Sequence, residues 1–194
     1  MNDQKRALLV MDVQQGIINN LGDRATEYLQ HVSKAVDTAR QSGIPVIFIV
    51  VRFRKGYPEL SPNNKMFGAL RERSWDMDET SDLTKPMITP QEDELVIAKK
   101  RVSAFAGSDL EMILNARGIT ELILCGVSTS GVVLSTLRYA ADKDYRLSVL
   151  SDCSSDQDEE VHRVLTEKVF PRQAEVLTIE QWTQKLNIQK TNAK

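Results

Sequence analysis

Two charged residues stand where charge is costly. Asp12 follows ALLVM and precedes VQ, and a carboxylate in such apolar company needs a cation or hydrogen-bond donors to stay ionised. Lys99 closes a second apolar run in VIAKKRVSAF and is its natural counter-charge. A lysine within a few ångströms holds an aspartate ionised, and a desolvated lysine gives up its own proton more readily. Such a pair can carry acid–base chemistry on a small molecule. Other reactive side chains are sparse. The two cysteines, Cys125 and Cys153, form no CxxC and have no histidine cluster nearby, so both are read as buried reduced thiols. His31 and His162 fall far apart in helix-like stretches, and a zinc site ordinarily asks for three or four ligands at sensible spacing. Asp158 and His162 share a helix face, but two ligands do not make a site, and no metal or other cofactor is expected. Ser128, Thr129 and Ser130 suit the start of a helix as caps better than they suit nucleophilic attack. The acidic run 156–160 reads as the anion-decorated start of another helix.

The elements that must position these groups follow from the alternation of short β-rich apolar runs with longer helix-like stretches. The runs lie at 7–13, 44–53, 94–100, 121–127, 145–152 and 174–178, and helices are expected at about 23–41, 107–117, 130–143, 157–169 and 180–187. Several runs are continuously apolar, as strands covered on both faces require. Gly43 and Gly118 sit where a left-handed cap should end a helix before the next strand. Right-handed crossovers then predict a three-layer α/β/α fold with a doubly wound, mainly parallel six-stranded sheet of Rossmann-like type. Ligands in such sheets bind at the carboxyl ends of the strands, which selects Asp12, Arg52, Lys99 or Lys100, the segment 126–129, and Asp152. One excursion, 53–90, breaks the rhythm. It carries Phe53, Tyr57, Phe67 and Trp75 and reads as a cover over a pocket or as a subunit interface.

A chain of 194 residues is read as one domain, 1–194, large enough to bury a core without disulfide or metal. Its formal charge of −2, with no basic patch, argues against nucleic acid as a partner. The opening apolar run is short and broken by Asp12, so neither a signal peptide nor a membrane segment is expected and the location reads as cytoplasmic.

The LLVMDVQ opening, the K-x-x-x-S-A-F stretch Lys99–Phe105 and the G-V-x-T turn Gly126–Thr129 together resemble the isochorismatase-like hydrolases, a cysteine hydrolase superfamily. The resemblance covers nearly the whole chain. It implies Asp12 and Lys99 as catalytic residues, a cis peptide at Val127–Ser128, and an oxyanion site made by the backbone amides of Ser128 and residue 132. It also implies substrate contacts at Gln14, Phe105 and Thr129, to which Arg52 or Arg54, together with Phe53 and Trp75, are added as groups for a carboxylated or aromatic ligand. Family members usually form homodimers or larger homo-oligomers. The amidohydrolase branch keeps its nucleophilic cysteine six residues after the turn glycine, and here that residue is Val132. Valine has no lone pair, so thioester chemistry is not expected at this position. The isochorismatases proper also lack the thiol, but usually carry glycine there. The region after the second run, VRFRKGYPE, has none of the histidines with which nicotinamidases hold a metal.

Two functions remain. One is a hydrolase acting on a small carboxylated, amide or vinyl-ether substrate by a cysteine-independent Asp/Lys mechanism. The alternative is a non-catalytic binding protein on the same scaffold.

Overall fold

The computed structural model describes residues 5–68 and 76–192; Trp75 lies outside them. Six strands form one sheet: β1 (Lys5–Met11), β2 (Val46–Val51), β3 (Leu95–Lys99), β4 (Ile119–Val127), β5 (Arg146–Ser155) and β6 (Glu175–Leu177). Every pairing is parallel and the spatial order is β3-β2-β1-β4-β5-β6. The chain therefore winds outward twice from the centre, and the reversal of direction falls between β1 and β4. That is the switch point where a crevice opens in such sheets.

The apolar runs explain the two-sided core. Along β1 and β2, Leu8, Val10, Val46 and Phe48 face one layer, while Ala7, Leu9, Met11, Ile47 and Ile49 face the other, the period-2 alternation of a strand. The first layer is covered by α1 (Ala25–Gln41), which turns Tyr28, Val32, Ala35, Val36 and Ala39 inward at helical spacing, and by α5 (Ile179–Asn192) through Trp182 and Leu186. The second layer is covered by α2 (Leu110–Ala116) and α3 (Leu134–Ala141), through Leu110, Leu114, Leu137 and Ala140. A further helix, α4 (Glu159–Val164), follows β5. Each large apolar side chain so buried contributes about 1.5–3 kcal/mol. The expected cap glycines Gly43 and Gly118 have φ of 65° and 62°.

Two local features shape the carboxyl ends. At Gly126 a side chain is impossible, because a Cβ would lie 2.2 Å from the carbonyl oxygen of Met11; only glycine lets β1 and β4 close up there. In β5, Val149 pairs with Leu124 but the next registered pair is Ser154 with Gly126. The extra residues form a bulge that prolongs β5 to Ser155, three residues past the expected end at 152.

The described part of the excursion packs inward. Phe53, Leu60, Phe67 and Met77 join Val51 in a third apolar cluster, and short bridges tie Phe53 to Asp78 and Gln14 to Pro86. Among the described residues, no helix is long and apolar enough to cross a membrane.

Candidate active site

The last residue before the chain leaves β1 is Met11, and Asp12 turns sharply there, at φ 57°. Aspartate tolerates this left-handed conformation better than most residues, and it costs about 1–3 kcal/mol that the surrounding structure must supply. The turn is pinned by the Asp12 amide, which donates to the Ile49 carbonyl at 2.8 Å. Lys99 ends β3 and reaches back across β2. Its ammonium lies 2.9 Å from Asp12 Oδ2 and donates to the Arg101 carbonyl at 2.8 Å. Lys99 is 1% exposed and Asp12 6%, so this is a buried ion pair. Asp12 Oδ1 has no hydrogen-bond partner. Burial raises the Asp12 carboxyl above its ordinary value, while the neighbouring Lys99 charge works against that rise.

Asp12 and Lys99 border a cavity of about 390 Å³. Its other polar walls include Ser128, Ser130, Asp156 and Gln157, and its apolar walls include Val51, Phe53, Phe67, Met77 and Val132. The β4 turn supplies one side. The Val127–Ser128 peptide is cis, and a π-helical turn, Thr129–Val133, leads directly into α3. Neither cysteine borders the cavity. The Cys125 thiol donates to the Leu9 carbonyl at 3.5 Å and the Cys153 thiol to the His31 carbonyl at 3.4 Å. Burial raises the Cys125 thiol to about 12 and the Cys153 thiol further still, so both stay protonated and unreactive at neutral pH.

The structure thus gathers Asp12, Lys99, Phe53, Ser128 and Val132 around one space. It does not bring the other expected contacts there. Gln14 is fully buried, with its amide spent on backbone: Nε2 donates to the carbonyls of Val51 and Thr84, and Oε1 accepts from the Val51 amide at 2.7 Å. It locks β1, β2 and the excursion together instead of meeting a ligand. Thr129 is also fully buried, with its hydroxyl 2.8 Å from His162 Nδ1. Phe105 stacks on Tyr139 with ring centroids 4.7 Å apart, outside the cavity lining. Arg52 is half-buried, and its carbonyl accepts from the Lys100 ammonium; Arg54 pairs with Glu59 at 2.8 Å. Neither arginine lines the cavity. Asp152 caps α5 by accepting from the Ile179 amide at 2.8 Å.

Asp156 is the residue that sequence reasoning missed. It belongs to the run read as a helix start, yet the cap of α4 is Asp158, which accepts from the amides of Glu160 and Val161. Asp156 turns to the cavity, 7% exposed, and its Oδ2 accepts from the Ser130 amide at 2.7 Å. The strand-end rule would have found it had the β5 bulge been visible, since Asp156 and not Asp152 follows the last residue of that strand.

A doubly wound parallel sheet, with a buried carboxylate–lysine pair beside a cavity at the carboxyl ends of its strands, defines an α/β fold. Residues 6–181 match the model of the isochorismatase domain, and the chain belongs to the isochorismatase family. It is 30% identical over 185 residues to the uncharacterized isochorismatase family protein YwoC of Bacillus subtilis, covering 94% of this chain and 95% of that one. It is 30% identical over 169 residues to the ureidoacrylate amidohydrolase RutB of Methylobacterium radiotolerans, covering 76% and 66%. Among solved structures, a cysteine hydrolase from Pseudomonas syringae pv. phaseolicola superposes with a TM-score of 0.86 at 20% identity, over 96% of this chain and 94% of the other. The pyrazinamidase of Pyrococcus horikoshii, solved with zinc, superposes with a TM-score of 0.76 at 18% identity, over 90% and 99%.

Proposed function

We propose that this chain hydrolyses a small molecule by proton transfer at Asp12, with Lys99 as its electrostatic partner and without a protein thiol. The observation that carries this reading is the buried Asp12–Lys99 pair, 2.9 Å apart, on the wall of an open cavity. A cavity filled by side chains would have left no room for substrate. In an amide hydrolysis, the Asp12 carboxylate takes a proton from the attacking water and returns it to the leaving nitrogen. In a vinyl-ether hydrolysis, the protonated carboxyl first delivers its proton to the alkene carbon. Water then adds to the oxocarbenium carbon and returns a proton to the Asp12 carboxylate, and the resulting hemiketal collapses to a carbonyl compound and the leaving alcohol. Both uses favour a carboxyl whose affinity for protons has been raised towards neutrality. Lys99 restores the carboxylate between transfers by favouring its charged form.

In this reading Val132 stands at the position of the thiol in the family's amidohydrolase branch. The amides of Ser128 and Val132 hold the developing oxyanion, since backbone donors do not depend on the side chain they precede. That relatives include an amidohydrolase, RutB, supports hydrolysis as the reaction type. The excursion serves as the cover of the site, with Phe53, Phe67 and Met77 as its inner surface. A homodimer or larger assembly goes with the reading, and sedimentation velocity tests it: a single monomeric species at micromolar concentration would remove that part.

The test of the function is turnover across a panel of small amides, ureides and vinyl ethers. Activity in the native protein, lost in Asp12→Asn and strongly reduced in Lys99→Met, is expected. Unchanged turnover of every active substrate in Asp12→Asn would sink the proposal.

A further inference from the structure

Among the described residues, the charges that line the cavity do not match the carboxylated ligand that the sequence suggests. Among the described residues that line it, Lys99 is the one cation, and its charge is already matched by Asp12 at 2.9 Å. Asp156 is a second carboxylate with no cationic side chain within ion-pair distance among the described residues. It also sits where an anionic ligand would otherwise find help: its Oδ2 already accepts the Ser130 amide, at the turn that starts α3. A carboxylate at that spot disfavours a second negative charge beside it. Asp12 is the other carboxylate on the cavity wall, beside Lys99. The remaining walls are apolar and partly aromatic. Phe53 and Phe67 meet edge to face with centroids 5.8 Å apart, and a ring face attracts a cation.

We propose that the cavity selects a small ligand with a positively charged nitrogen on an apolar body, an ammonium, amidinium or guanidinium, and that Asp156 is the residue that sets this preference. The inference rests on the cavity being the substrate site argued above, and it narrows the substrates to cationic ones. Asparagine at 156 can still accept the Ser130 amide through its carbonyl, so Asp156→Asn removes charge and leaves the turn supported.

The test is calorimetric binding of three molecules with one skeleton, benzamidine, benzamide and benzoate, to the native protein and to Asp156→Asn. Native protein is expected to bind benzamidine roughly tenfold or more tightly than benzamide, the scale of a charge-assisted hydrogen bond, and benzoate weakest. Asp156→Asn, with its melting temperature retained, is expected to lose most of that preference. Benzoate or benzamide binding as tightly as benzamidine, an unchanged preference in Asp156→Asn, or binding of none of the three at millimolar concentration would each overturn the proposal. Because the assay reads binding and needs no turnover, the two claims fail separately. An inactive protein that keeps the cation preference would remove the catalytic reading alone, and a working hydrolase that prefers the acid would remove this one alone.

Discussion

At the scale of single residues, the Asp12–Lys99 pair is costly as well as useful. Removing one partner leaves an uncompensated buried charge, whereas removing both leaves neutral groups of similar volume. Asp12→Asn and Lys99→Met are each expected to destabilise the fold by about 3 kcal/mol, and the double variant by much less than their sum. Urea unfolding of the four proteins measures this, and additive losses would show that the two side chains do not act as a pair. His162 offers a pH-dependent counterpart. Burial lowers its pKa below the ordinary 6.5, so the fold favours neutral imidazole, the form that can accept the Thr129 hydroxyl proton. A depressed folded value means stability that is present above about pH 6.5 and lost as pH falls through the folded value. Native protein should therefore lose more stability between about pH 7 and about pH 5 than His162→Gln does, when both are unfolded chemically at the two pH values. Equal losses would remove His162 from the account of acid sensitivity.

At the scale of elements, the sheet was largely legible, because a fully covered parallel strand such as β2 is a continuous apolar run, and six β-rich runs alternate with helix-like stretches. Asp12 and Lys99 were legible for the same reason: each is a charge set against the grain of an apolar segment. The rest of the site was not, since it depends on register and packing. The bulge in β5 moves the strand end from Asp152 to Ser155, with Asp156 just past it, and nothing in SDCSSDQ announces it. Gln14 and Thr129 have the right chemical types and the right neighbourhood in sequence. Whether such side chains meet a ligand or satisfy buried backbone and histidine is decided only by the tertiary fold. The close approach of β1 to β4 at Gly126 is the most exacting contact at this scale. Gly126→Ala forces the Met11 carbonyl aside, and a loss of about 3 kcal/mol or more is expected, together with loss of the pocket that the following turn builds. A variant with native stability would mean that the two strands can separate there without cost.

At the scale of the whole molecule, two apolar layers cover the two faces of the sheet, while a third, smaller cluster lies under the excursion. That division puts the charged pair on strand ends of the sheet and, in the proposed reading, the ligand's apolar contacts on the cover. Loss of the cover's aromatic wall by Phe53→Ala should weaken both folding, by about 3 kcal/mol, and ligand binding. In the proposed reading, the reaction is carried out at the Asp12–Lys99 pair. The decisive comparison is the turnover of one active substrate in three proteins: native, the thiol-free C125A/C153A variant, and Asp12→Asn. The thiol-free protein is expected to keep the native rate per folded molecule, and Asp12→Asn to fall by about 10² to 10⁴, the usual contribution of a positioned acid or base. Activity that disappears with the thiols, or that survives without the Asp12 carboxylate, would contradict hydrolysis by the Asp12–Lys99 pair.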